Sequence, residues 1–153
     1  MASSIFSTVV AGVSVFVIGQ IILKWFLDPI IAFKEQLGRT SSLFLSKQAA
    51  ITNVTYSEEL VNELKECAAS LMAKKSAISF YQFFQKFLML PPVDNIYDAA
   101  LSINEIASII ASQNKIMNHM AEENVNLIYP IKIKKALENI QGNLFIITSY
   151  GLK

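Results

Sequence analysis

The first charged side chain of the sequence is Lys24, and the 23 residues that precede it carry no charge. As a helix this stretch is roughly 34 Å long, whereas the hydrocarbon core of a bilayer is about 30 Å thick. A helix buried in a soluble core is rarely apolar on every side, and a secretory signal has a basic start and a shorter apolar run. The pattern therefore predicts a retained transmembrane helix over residues 1–27, with the lipid bilayer as a partner.

The charges that flank this segment predict its orientation. Only the amino terminus precedes it, and four cations follow it: Lys24, Lys34, Arg39 and Lys47. The positive-inside rule then places the amino terminus outside and the rest of the chain in the cytoplasm. Trp25 suits the inner membrane interface. The single cysteine, Cys67, cannot form an intramolecular disulfide, which agrees with a reducing compartment.

The next segment, residues 28–55, has the spacing of an amphipathic helix with a linker behind it. The membrane helix either ends at Asp28 and Pro29, where Asp28 caps a new helix, or bends there and continues. The apolar residues that follow recur at intervals of three, four and seven: Ile30, Phe33, Leu37 and Phe44. Such a stripe suits a neighbouring copy, the headgroup region or the chain's own domain, and the sequence leaves all three open.

Residues 56–153 have the pattern of a helical domain. Thr55 and Glu58 fit a capping box before a helix that is expected to end near Lys75. Its apolar face is Leu60, Leu64, Cys67, Ala68, Leu71 and Met72. Residues 78–90, "ISFYQFFQKFLML", are interpreted as the central core helix, and a helix at the bilayer surface is the alternative.

Two further helices are expected after the prolines at positions 91 and 92. Asp94 caps the first, whose apolar face is Ile96, Ala99, Ala100, Ile103, Ala107 and Ile110. The second follows Pro130 and stops near Gly142, and residues 143–153 are left open between strand and helix. We therefore predict a mainly α fold, with an amino-terminal transmembrane helix and a cytosolic α-helical domain.

The residues that carry enzyme chemistry are scarce. The chain has one histidine and one cysteine, and its five glycines form no phosphate-binding loop. We expect neither an enzyme nor a cofactor. From residue 48 onward nine lysines face ten acidic residues, a formal charge of −1, which argues against a duplex nucleic acid partner.

A small anionic ligand remains open, because one lysine from each copy of a symmetric oligomer forms a ring of charge around the axis. A cyclic ligand with one phosphate per repeat would match such a ring. The candidate ligand-binding residues are Lys132, Lys134 and Lys135, or Lys115 with Asn114, Asn118 and His119, and Tyr129 and Phe145 as stacking rings. The alternative for each of them is an ordinary solvated side chain.

Two stretches resemble small bacterial proteins that have one amino-terminal membrane helix and a cytoplasmic helical domain. They are "GQIILKWFLDPI" (residues 19–30) and "FLMLPPVDNIYDAALSINEI" (residues 87–106). The overall plan is similar to that of the small type III CRISPR-associated membrane effectors, which bind cyclic tetra-adenylate. That resemblance implies an antiviral effector in the bacterial inner membrane, active as a homo-oligomer, with a tetramer expected, that perturbs the membrane once the cyclic oligonucleotide binds. The alternative function is a membrane-tethered helical scaffold without ligand gating.

Overall fold

A computed structural model describes residues 2–118 and 125–150. These residues form helices and contain no strand, which confirms the mainly α fold class. The elements in chain order are α1 (Ala2–Ile22), a π-helical segment (Leu23–Leu27), α2 (Asp28–Ser46), α3 (Gln48–Thr52), α4 (Glu58–Ser76), α5 (Tyr81–Leu88), α6 (Val93–Asn118) and α7 (Val125–Leu144).

None of the side chains described in helix α1 is buried. Its large apolar side chains, such as Phe6, Val13 and Phe16, are exposed around the whole helix. In the described part of the chain this is the one helix long and apolar enough to cross a membrane, with a mean hydropathy of 2.2 over an 18-residue window. An all-round apolar surface on an isolated helix is typical of a membrane span.

The apolar helix continues into α2 without a break. The π-helical segment joins them, and the Asp28 N–H donates to the Leu23 carbonyl, five residues back. Pro29 has no N–H, and its ring would crowd the carbonyl of Trp25 in a regular helix, so the wider turn just before it makes room for the ring. The helix therefore continues through Asp28 and Pro29, and Asp28 does not cap a new helix.

Helix α2 packs on the chain's own domain. Ile30, Phe33 and Phe44 are buried, Leu37 is half-buried, and the helix contacts α4. The sequence left three partners open for this apolar stripe. Within one protomer, the stripe packs on the core of the chain's own domain.

The core lies between α2, α4, α6 and α7, with α4 between α2 and α6. The apolar faces predicted for α4 and α6 are buried, apart from half-buried Met72. Two predicted caps are wrong by a residue or two. Ser57, not Thr55, caps α4, because its Oγ accepts the Leu60 N–H at 3.3 Å. Helix α6 begins at Val93, which puts Asp94 inside the first turn.

The prediction that residues 78–90 form the central core helix is wrong. Helix α5 is eight residues long, and Tyr81 is its one buried member. Four large side chains at or beside it are 72% to 87% exposed: Phe80, Phe83, Phe87 and Met89. The aromatic density predicts burial in some apolar medium, but the other helices already fill the protein core.

The last part of the chain folds back on the domain. Helix α7 contains Pro130 and extends past Gly142 to Leu144, so it begins earlier and ends later than predicted. Phe145 has a left-handed φ of 55° that turns the chain. The segment after it is not helical, and the buried Thr148 hydroxyl donates to the Leu137 carbonyl at 3.3 Å.

Candidate functional site

The three lysines predicted on α7 are exposed, but they do not share one face. Lys132 and Lys135 are one turn apart, whereas Lys134 points to the other side of the helix. Ile133 and Leu137 between them are buried. Among the side chains that the structure describes, Lys47–Glu63 forms the one ion pair, so the three lysines carry free charge.

The two rings predicted to stack on bases differ in their surroundings. Tyr129 is half-buried against the core, with its hydroxyl 3.4 Å from Ser112 Oγ on α6. That ring therefore joins two helices and offers little free face. Phe145 is exposed in the turn after α7.

The second predicted group lies at the end of α6. The backbone of Asn114, Lys115 and Asn118 is helical, but their side chains lie outside the described residues, as does His119 altogether. Their proposed contribution to a ligand site stays a prediction.

The structure brings Lys134 into a groove that the sequence did not indicate. The groove has a volume of about 340 Å³, within the range of about 300–1,000 Å³ for small-molecule sites. It lies between α3, α7 and the last described residues. Its lining residues are Gln48, Thr52, Pro130, Ile133, Lys134, Leu137, Ser149 and Tyr150.

The polar groups of the groove are spaced around apolar walls. Gln48 Oε1 accepts the Tyr150 N–H at 3.2 Å, which holds the last segment against α3. The Ser149 side chain is 7% exposed, and its Oγ has no hydrogen-bond partner among the described residues. Leaving a buried hydroxyl unpaired costs about 1–3 kcal/mol. This oxygen has almost no accessible surface, so a ligand in the groove would reach it only if the last segment moved.

This set of groups suits an anionic molecule with a flat ring. The Lys134 ammonium provides the charge, and the exposed Tyr150 ring provides a surface for stacking. The described residues contain no cluster of three His, Cys, Asp or Glu side chains that could hold a metal ion.

Among the described side chains, Lys134 is the one lysine predicted as a ligand-binding residue that lines this groove, and the sequence did not indicate the residues opposite it. Gln48 and Ser149 are about 100 positions apart, and no local pattern links them. The clue that was present is the break in helical spacing after Gly142, which signals that the last residues pack as a separate segment.

The groove lies far from the apolar helix. Gln48 and Thr52 follow α2, which is about 28 Å long, so the groove is at the opposite end of the domain from α1. Fold and groove together define a class: a helical domain, with a groove of small-molecule size, built continuously onto one apolar helix. No protein-family model matches the chain, and neither a curated protein nor a solved structure does.

Proposed function

We propose that this protein is a membrane-anchored effector whose helical domain binds an anionic second messenger and transmits that event to its membrane helix. The observation that carries the proposal is the uninterrupted helix from Ala2 to Ser46. Its first half is apolar on all sides, and its second half belongs to the core of the domain. A helix cannot absorb a rotation as a flexible linker does, so a movement of α2 moves α1 as well.

The contacts of the last segment support a route from the groove to α2. The Ser41 hydroxyl of α2 donates to the Ile147 carbonyl, two residues before the groove residue Ser149. A ligand in the groove would therefore contact a segment that is already bonded to α2. The mechanism requires the ligand to bind one arrangement of these elements more tightly than the other.

The proposed ligand is a cyclic oligoadenylate, with cyclic tetra-adenylate as the first candidate. The groove, with its volume of about 340 Å³, would hold one nucleotide of the ring, and a symmetric tetramer would offer four equivalent lysines to four phosphates. A Cβ atom added at Gly12 or Gly19 of α1 would meet no heavy atom within 4 Å, which leaves space for a neighbouring membrane helix. In this proposal the domain lies in the bacterial cytoplasm, the effector serves antiviral defence, and activation perturbs the inner membrane.

A membrane-tethered scaffold is the second candidate. The observation in its favour is that Lys132 and Lys135 lie on a different side of α7 from Lys134, so one protomer presents no concentrated basic site. A scaffold would need no nucleotide and would use these exposed helix faces for a protein partner.

The test is a titration of the full chain, reconstituted in nanodiscs, with labelled cyclic tetra-adenylate. The full chain is needed because Phe33 and Phe44 of α2 are core residues, and a fragment from residue 48 would lack them. We expect Lys134→Ala to weaken binding about tenfold or more, the loss of one charge-assisted contact, and the matched control Lys132→Ala to change it little. Absence of binding at high micromolar ligand, by a folded chain, would reject this ligand and favour the scaffold.

A further inference from the structure

The most exposed apolar surface of the domain surrounds α5. Phe80, Phe83 and Phe87 lie on one side of this short helix, and Met89 follows at its end. We call these four residues the α5 apolar face. An exposed apolar surface on a folded domain indicates an interaction partner, because contact between apolar side chains and water is unfavourable.

The position of the α5 apolar face relates it to the apolar helix. The Phe26 ring of the π-helical segment packs against Phe80 and Phe84, with ring centroids 6.4 and 5.9 Å apart. The π-helical segment ends the apolar run that starts in α1. The face therefore lies beside the chain at the level where α1 meets the domain.

The core holds α5 firmly in this place. Its buried Tyr81 packs edge-on against Phe33, with ring centroids 6.0 Å apart, and its hydroxyl donates to the Pro91 carbonyl at 2.7 Å. Phe80 and Met89 at the two ends have left-handed φ angles of 57° and 53°. Such angles are unfavourable for side chains of this size, so the surrounding contacts must hold the two residues there.

The charges around the face are mainly positive, with Lys75 and Asp94 lining one groove with Phe80 and Phe83. Helix α5 contains Lys86 and no acidic residue, and Lys24 and Trp25 are exposed on the neighbouring π-helical segment. A short helix with an aromatic side, a polar side and flanking lysines is typical of helices that lie in the membrane interface.

We infer that the α5 apolar face inserts into the bilayer interface beside α1 and gives the domain a second membrane attachment. The occupant of this surface is lipid at the boundary of headgroups and acyl chains. Since the inference needs α1 to span the bilayer, it rests on the proposed function. Two attachments fix the tilt of the domain relative to the membrane, which one helix alone does not.

The test uses the full chain in phospholipid vesicles with a single tryptophan. In a Trp25→Phe background, Phe87→Trp reports on the α5 apolar face, and Ile131→Trp is the control, exposed on α7 at the groove end of the domain. Lipids brominated near the headgroup should quench the tryptophan at position 87 at least about threefold more than the one at position 131, because an interfacial helix lies about 5–10 Å deep. Circular dichroism verifies that each variant is folded.

A third variant separates failure of this inference from failure of the proposed function. Val13→Trp lies in the middle of α1 and should be quenched by lipids brominated deep in the acyl chains. Quenching at position 13 without quenching at position 87 overturns the second attachment and leaves the membrane span intact. Quenching at neither position rejects the span itself. If position 87 is not quenched and Phe87→Ser lowers the oligomeric mass, the face joins two copies and the inference is also wrong.

Discussion

A buried polar cluster lies at the contact between α2 and α4. Thr40 Oγ1 is 2.8 Å from the Gln36 carbonyl and 3.3 Å from Cys67 Sγ. The single hydroxyl hydrogen goes to the carbonyl, so the thiol donates to Thr40 Oγ1. Burial, the largest cause, raises the pKa of the Cys67 thiol. The thiol is therefore a packing group that satisfies its neighbour, and it is poorly reactive at neutral pH.

Tyr81 makes the stability of the domain depend on pH in the alkaline range. Burial raises the pKa of Tyr81 from 10.0 to about 12, so the folded state keeps the proton that the unfolded state loses. The stabilisation is complete below pH 10 and is lost as the pH rises through about 12. We expect Tyr81→Phe to lower the free energy of unfolding by about 1 kcal/mol at about pH 8, through the lost hydrogen bond to Pro91, and by less at about pH 11.

The measurement is thermal unfolding of both proteins in detergent, followed by circular dichroism at the two pH values. Other tyrosines and lysines titrate equally in both proteins, so the difference between the two isolates Tyr81. A difference that grows with pH would contradict a buried, protonated phenol.

At the scale of elements, phenylalanines of similar local pattern have opposite surroundings. Phe33 in α2 has no exposed surface, whereas Phe87 in α5 is largely exposed. Phe33 therefore lies in the protein core, and Phe87 faces the medium outside the core.

This difference predicts opposite results for one substitution in detergent. Phe33→Ala should lower the free energy of unfolding by about 3–5 kcal/mol, because it leaves a cavity in the core. Phe87→Ala should change it by less than about 0.5 kcal/mol, since it removes no core contact. Denaturant titration of both variants measures the two values. Equal losses would mean that α5 is part of the core after all.

At the scale of the whole molecule, the proposed mechanism uses the unbroken helix from α1 to α2 to couple the domain to the membrane. On the domain side, this helix is held by the buried face of α2 and by the hydrogen bond from Ser41 to the last segment. A linker would preserve both the anchor and the groove and remove the rigid connection between them.

We therefore expect that four residues of Gly and Ser, inserted between Leu27 and Asp28, leave ligand affinity within about threefold and abolish ligand-dependent leakage of dye from vesicles. A four-residue insertion of alanines is the matched control, because it keeps the connection helical. Leakage that persists with the flexible insertion would show that the membrane effect needs no rigid helix.

Much of the fold could be predicted from the sequence, because local rules determine it. The absence of charge before Lys24 predicts the apolar helix, and the spacing of Leu60, Leu64 and Leu71 predicts the buried face of α4. Periodicity predicts which face of a helix is apolar, and this prediction does not depend on what that face packs against.

The choice of partner belongs to the packed fold. The stripe on α2 and the aromatic run of α5 look alike as patterns, yet α2 enters the core and α5 stays outside it. The core volume is finite, and α2, α4, α6 and α7 fill it together. The groove likewise depends on residues such as Gln48 and Ser149, which meet only when the last segment folds back. Local patterning thus identifies which surfaces are apolar, and the assembled helices select what covers each of them, because all apolar faces compete for one limited interior.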